Sequence, residues 1–153
     1  MLEKLKRKIQ GFNISQIQGL GICNQRETVV CWDENGKPIG NAIVWCDSRT
    51  TDICKKFENE HGSFYHKTGK PVSTYFSLFK ILWMLENVPE IKQKYQSGKL
   101  KFGTIDSWLA FNLTGKFVTD ASNAGRTYLY DITKGIWDPT LLGIAKINSN
   151  SLP

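Results

Sequence analysis

The chain changes character near residue 48, where short strand-like segments give way to helical periodicity. Before that point, residues 17–23, 28–32 and 39–45 have the apolar and β-branched pattern of short strands. The sequence DENGKP at 33–38 carries strong turn signals between the second and third of these segments. A hairpin of those two strands is therefore the simplest arrangement.

Helices are expected outside these strands, over 1–11, 49–60, 74–88, 89–97, 105–113 and 139–144. In 1–11 and 74–88 the apolar residues recur at helical intervals. We expect Asp47 or Ser48 to cap the helix over 49–60. Residues 61–71 are rich in glycine and histidine and are predicted to form a loop. Strands followed by helices indicate an α/β or α+β unit.

The formal charge of +6 raises the question of nucleic-acid or membrane binding. After the first eight residues the lysines are scattered among acidic residues, whereas nucleic-acid-binding proteins usually gather basic groups on one face. We therefore expect a solvated basic surface and no nucleic-acid partner. No apolar run is long enough to span a membrane, and the first residues, MLEKLKRK, lack the features of a secretory signal. These observations predict no membrane span and a cytoplasmic location.

The four cysteines do not have the spacing of a metal site. None of Cys23, Cys31, Cys46 and Cys54 forms a C-x-x-C pair. Cytosolic thiols normally stay reduced, and the strand-like surroundings of Cys23 and Cys31 predict buried free thiols. We expect no bound metal.

Five polar residues, NQRET at 24–28, interrupt the strand-like sequence where the end of a sheet could expose them. Arg26 and Glu27 would face opposite sides of an extended strand, but a turn would let both aim at one small ligand. Arginine donates hydrogen bonds and ionised glutamate accepts them, so the pair suits vicinal hydroxyls, which do both. The alternative is an ion pair at a strand end, worth little if exposed, and spacing alone favours that alternative.

Several separated motifs, in the same order, resemble those of the glycerol kinases. They are GLGICNQRET at 19–28, WD at 32–33, GKPI at 36–39, NAIVW at 41–45, STYFS at 73–77, FGTIDSWL at 102–109, TD at 119–120, NA at 123–124, RT at 126–127 and WD at 137–138. Residues 75–87 also resemble a signature of the wider carbohydrate-kinase family. The resemblance covers nearly the whole chain. It implies an α/β fold that is part of a ribonuclease-H-like (actin-like ATPase) domain, with a mixed sheet and flanking helices.

The resemblance also implies a set of substrate-binding residues. The arginine and glutamate that hydrogen-bond the hydroxyls of glycerol in those kinases match Arg26 and Glu27. The tryptophan that packs against the carbon backbone of glycerol matches Trp45, and the tyrosine that bonds a hydroxyl matches Tyr75. Trp45 as a core aromatic, and Tyr75 as a packing residue at the start of a helix, are the alternatives.

Other conspicuous side chains are given structural roles. We assign Trp83, Trp108 and Trp137 to packing, and we treat Asp106 and Asp120 as structural. Lys80 lies within apolar helical sequence, from which its side chain is expected to reach out to solvent.

The resemblance implies further parts that this sequence does not contain. These are a phosphate- and magnesium-binding hairpin, a catalytic aspartate and an adenine-binding second domain. ATP and Mg²⁺ are therefore implied for the full-length protein, with no catalytic, cofactor or metal residue in this chain. We expect residues 1–153 to be part of the N-terminal domain of a longer protein, truncated at both ends and inactive by itself.

Glycerol is the expected ligand, and three other functions remain open. The first is a kinase of another polyol or sugar, such as xylulose or gluconate. The second is a non-catalytic remnant that binds a partner protein, and the third is the disfavoured nucleic-acid module. The resemblance leaves open whether the full-length protein is a homo-oligomer.

Overall fold

The computed structural model describes residues 13–153. In chain order the elements are β1 (Val29–Asp33), α1 (Thr51–Lys56), α2 (His61–Thr68), α3 (Ser77–Asn87), α4 (Pro89–Gln96), β2 (Leu100–Thr104), α5 (Ile105–Thr114), α6 (Ala121–Ala124), β3 (Tyr130–Asp131), β4 (Ile136–Trp137) and α7 (Pro139–Ala145). Short 3-10 turns occupy Ile14–Gln16, Glu58–Glu60 and Ser149–Ser151. The helix predicted over 1–11 lies outside the described residues.

The centre of the fold is the antiparallel pair of β1 and β2. Val29 lies opposite Thr104 and Asp33 opposite Leu100, so two segments about 70 residues apart in sequence become neighbours. All five residues of β1 are buried, because helices and loops cover both of its faces. β3 and β4 form a second, two-residue antiparallel pair. The fold is mixed α/β, as predicted.

The first predicted hairpin is present in a reduced form. The prediction of β1 is confirmed. Val29 at its start and Ile43 each donate a backbone N–H to the other's carbonyl oxygen at 3.0 Å. The segment 39–45 is nevertheless not a continuous strand, because only isolated bridges form and Gly40 has a φ of +72°. A left-handed residue inside the segment interrupts the ladder.

Two other predictions for the local structure are wrong. Residues 17–23 form no strand, and all seven of them are exposed. Residues 61–68, predicted as a loop, form the helix α2, which ends at Gly69 with a φ of +66°. Burial of Phe64 stabilises α2 despite its weak helical pattern, because its ring stacks on Tyr128 at a centroid distance of 4.7 Å.

The remaining helix predictions hold within a few residues for α3, α4, α5 and α7. The cap expected for α1 is wrong: Thr50 occupies that position without a side-chain bond, and Asp47 instead binds Arg49. No helix in residues 13–153 is long and apolar enough to cross a membrane.

Candidate functional site

The polar segment 24–28 ends in a turn that delivers two neighbouring side chains to different environments. Arg26 and Glu27 occupy the turn immediately before β1. Arg26 is exposed, whereas Glu27 is 3% exposed. The backbone therefore turns at this point and does not continue as an extended strand.

The buried carboxylate of Glu27 has a cationic partner. The Nε of Arg126 donates a 2.5 Å hydrogen bond to Oε1 of Glu27. The main-chain oxygen of Glu27 accepts a 3.1 Å hydrogen bond from Oγ of Ser77, the first residue of α3. A buried carboxylate without a partner would be strongly unfavourable, so Arg126 is the group that compensates the burial of Glu27.

An aromatic wall stands beside this ion pair. The rings of Trp45 and Tyr75 meet edge to face with centroids 5.4 Å apart. Trp45 is 40% exposed, which contradicts the alternative of a core aromatic. Tyr75 is half-buried in the turn that leads into α3. The structure thus brings together two residues that are 30 positions apart in sequence.

Hydrogen bonds tie the aromatic wall to the polar segment. The backbone N–H of Trp45 donates to Oγ1 of Thr28 at 3.1 Å, and that hydroxyl donates to Oε1 of Gln25 at 2.8 Å. Because Thr28 is buried, this link sets the position of the Trp45 backbone relative to the turn that carries Glu27.

Arg126 connects the acidic and aromatic sides of the site. Its guanidinium carbon lies 5.6 Å from the ring centroid of Tyr75 and 5.3 Å from that of Phe76. Arg126 belongs to one of the matching motifs, RT at 126–127, but the resemblance implies no role for it. The pairing spans 99 residues, so no local spacing could have revealed it.

Lys80 lies inside the protein beneath the Tyr75 turn. It is fully buried, and its Nζ donates to the main-chain oxygens of Thr74 at 2.7 Å and Tyr75 at 2.8 Å. The prediction that Lys80 reaches solvent is therefore wrong. Burial lowers the pKa of Lys80 to about 8, against the opposing attraction of Asp47 and Glu27.

The two aspartates treated as structural have structural contacts. Asp120 accepts the backbone N–H of Asn123 at 2.8 Å and caps α6, and this bond is the main cause that lowers the pKa of Asp120. The side chain of Asn123 accepts a 3.0 Å bond from Asn24, which anchors the beginning of the polar segment. Asp106 accepts hydrogen bonds from two threonine hydroxyls near the end of β2.

The cysteines are free thiols in different environments. Cys31 is buried, as predicted, and burial raises its pKa to about 12. Cys23 is exposed, so the prediction of its burial is wrong. Among residues 13–153, no group of three or more His, Cys, Asp or Glu side chains is placed to hold a metal ion.

Comparison with known proteins agrees with the architecture. The model of the N-terminal domain of the FGGY family of carbohydrate kinases matches residues 1–153. A glycerol kinase from Thermococcus kodakarensis is 43% identical over 155 residues, which cover 99% of this chain and 31% of that protein.

Two solved structures extend the comparison. A Plasmodium falciparum glycerol kinase with ADP has a TM-score of 0.89 and 44% identity, covering 99% of this chain and 30% of that chain. A gluconate kinase from Lactobacillus acidophilus has a TM-score of 0.81 and 29% identity, covering 98% of this chain and 29% of that chain. The predicted ribonuclease-H-like (actin-like) α/β fold is confirmed by these similarities. The chain spans about 30% of the length of the relatives that it matches.

Proposed function

The chain belongs to the FGGY family of carbohydrate kinases, and from this membership we propose that it is the glycerol-recognition part of an ATP-dependent glycerol kinase. The reaction of the whole protein would convert glycerol and ATP into glycerol 3-phosphate and ADP. The alternative of a different substrate within the family is considered below.

The observation that carries this proposal is the burial of Glu27 next to an aromatic wall. The carboxylate is paired through one oxygen with Arg126, and its side chain is 4% exposed. A buried ionised carboxylate is a strong acceptor for a substrate hydroxyl, and such a site rejects analogues that lack the hydroxyl. This chemistry favours a polyol over an apolar or anionic ligand.

The other three residues complete a set suited to a small polyol. Arg26 is exposed at the same turn and offers donors to hydroxyl oxygens. Trp45 presents an apolar ring to C–H groups, and the phenol of Tyr75 both donates and accepts. These assignments rest on the motif resemblance together with the proximity of the residues in the fold.

We assign no residue of the described segment to ATP or Mg²⁺, because the resemblance places the phosphate- and magnesium-binding hairpin and the adenine-binding domain in other parts of the kinases. Phosphate transfer depends on positioned charge at the transferred group. We therefore keep the hypothesis that these 153 residues do not transfer phosphate by themselves.

The proposal is tested by steady-state kinetics of the native protein with Arg26→Ala and Glu27→Ala. Loss of a hydrogen bond to a buried group costs about 1–3 kcal/mol, so kcat/KM for glycerol should fall roughly 5- to 150-fold in each variant. Glu86→Gln is the matched control, because Glu86 forms an exposed ion pair with Lys56 elsewhere. Unchanged kinetics in both site variants would show that the assigned pocket is wrong.

The same assay separates the alternative functions. The similarity to a gluconate kinase is the observation that supports the alternative of a different substrate. Higher kcat/KM for gluconate or xylulose than for glycerol would favour that kinase. Absence of phosphorylation with all three substrates in the native protein would favour a non-catalytic remnant that binds a partner.

A further inference from the structure

Arg126 occupies a position that the assigned substrate contacts do not explain. Its Nε is bonded to Glu27 while its guanidinium lies against Tyr75 and Phe76. One planar group therefore touches both the acidic and the aromatic side of the candidate site. Its side chain is 28% exposed, which places it at the border between core and surface.

We propose that Arg126 is a positioning residue that fixes the direction of the Glu27 carboxylate and the tilt of the Tyr75 ring, and so sets the selectivity for hydroxyl-bearing substrates. This inference rests on the proposed function, because it concerns how the glycerol-binding residues are held. Arg126 acts through Glu27 and Tyr75 and does not itself contact the substrate.

The geometry of the ion pair supports this role. The hydrogen bond joins Nε of Arg126 to Oε1 of Glu27, and Oε2 has no hydrogen-bond partner among residues 13–153. A bidentate pair would use both oxygens, whereas this pair keeps one oxygen available to accept from a ligand hydroxyl.

The shape of the guanidinium explains why arginine is needed. Its plane can lie against aromatic rings while its edge donates to a carboxylate, and the two contacts have a fixed mutual direction. The ammonium of lysine is a compact point charge that can make either contact without coupling them. Arg126→Lys should therefore keep the charge but lose the alignment.

The position of Arg126 in the chain makes the alignment rigid. The next residue, Thr127, accepts the backbone N–H of Leu78 at 2.9 Å, and Ser77 donates to the main chain of Glu27. The start of α3 is thus bonded to the segments that carry both members of the ion pair. Glu27, Tyr75 and Arg126 converge on this one helix end.

The test compares wild type, Arg126→Lys, Arg126→Gln and Glu27→Gln in the native protein. Affinity for glycerol and for 1,2-propanediol, which lacks one hydroxyl, is measured by calorimetric titration. We expect Arg126→Lys to weaken glycerol binding at least 10-fold and to reduce the preference for glycerol over the diol to the level of Glu27→Gln. A residue with a purely structural role would lower stability without changing that preference.

A second ion pair in the molecule provides a matched control. Lys67 pairs with the buried Asp138 at 2.6 Å, and the exposed fractions of the two side chains, 26% and 3%, are close to those of Arg126 and Glu27. Lys67→Gln should lower the thermal midpoint while leaving glycerol affinity and selectivity unchanged.

The outcomes separate the two proposals. Glycerol binding and selectivity equal to wild type in both Arg126 variants would overturn the positioning role and leave the proposed function intact. If both Arg126 variants lose the near-UV circular dichroism of the folded protein while Lys67→Gln keeps it, Arg126 has a purely structural role. That result would also overturn the positioning role. Absence of glycerol binding by the wild-type protein would overturn both proposals.

Discussion

Neighbouring residues in this chain serve different purposes because the backbone turns between solvent and core. Arg26 remains in solvent, where a long cation is easily hydrated, and Glu27 enters the interior only because Arg126 accompanies it. Lys80 is also buried, but without a charged hydrogen-bond partner. Main-chain carbonyls, rather than a carboxylate, accept its hydrogen bonds. Two buried charges near the candidate site thus carry a cost that other contacts offset.

The burial of Lys80 predicts an alkaline increase in stability. Its pKa falls from 10.5 in the unfolded chain to about 8 in the folded protein. Between these values the unfolded state binds a proton that the folded state has released, so the free energy of unfolding should rise with pH, by at most about 1.4 kcal/mol per pH unit. This contribution is complete above pH 10.5 and is lost as the pH falls through about 8.

The measurement is urea unfolding of wild type and Lys80→Met at several pH values from 7 to 10.5. Subtracting the unfolding free energy of Lys80→Met from that of wild type at each pH removes the contributions of tyrosines and other lysines, because both proteins contain them. A difference in unfolding free energy that does not depend on pH would contradict the depressed pKa.

At the scale of the elements, local pattern predicted some segments and long-range packing decided the others. Helices α3, α4 and α7 have apolar spacing or proline signals of their own. β2 was missed because its five residues, LKFGT, are too short to indicate a strand without their partner β1. α2 was missed because its helical pattern is weak and its stability comes from contacts with Tyr128.

The same division applies to the candidate site. The turn that carries Arg26 and Glu27 and the exposure of Trp45 agree with the sequence-based interpretation. Their roles in binding glycerol stay predictions. The contribution of Arg126 was not predictable, because its contact with Glu27 joins residues 99 positions apart. The burial of Lys80 was not predictable either, because it depends on the packing of α3 in the fold.

The contact between β2 and its neighbours predicts a strict requirement for glycine at position 103. A Cβ added there would lie 2.6 Å from the Trp32 ring and 2.8 Å from Cβ of Ser107. Trp32 cannot easily yield, because it is fully buried and meets Trp108 at a centroid distance of 5.3 Å. Gly103→Ala should therefore destabilise the fold by about 1–3 kcal/mol.

Thermal unfolding of Gly103→Ala and Gly143→Ala measures this requirement. Gly143 lies in α7 with nothing within 4 Å of an added Cβ, so alanine there should be neutral or stabilising by up to about 1 kcal/mol. Equal midpoints for the two variants would show that β2 can move away from Trp32.

At the scale of the whole molecule, one side chain joins the middle and last thirds of the chain. The ring of Tyr128 is fully buried and stacks on Phe64 from α2 and on Phe76 just before α3. Its φ of +73° is unusual for a residue with a large side chain. Such a backbone conformation persists only where surrounding contacts hold it, and here the stacked rings supply them.

Tyr128 therefore links the stability of the fold to the geometry of the site, since Arg126 lies two residues before it. Tyr128→Ala removes a large ring from the centre of this stack and should cost about 3–5 kcal/mol of unfolding free energy. Tyr128→Phe keeps the ring and loses only the 3.3 Å hydrogen bond to the main-chain oxygen of Lys70, so its cost should stay near 1 kcal/mol.

Urea unfolding followed by near-UV circular dichroism and by glycerol binding distinguishes a shared structural unit from two independent ones. If the aromatic stack holds both the fold and the site, near-UV circular dichroism and glycerol binding of Tyr128→Ala should be lost at the same urea concentration, below the wild-type midpoint. Tyr128→Phe should keep wild-type affinity for glycerol. Glycerol binding that outlasts the loss of the aromatic signal would instead mean that Glu27, Arg126 and Tyr75 are held together by α3 alone. The stack and the site would then be separate features of the fold.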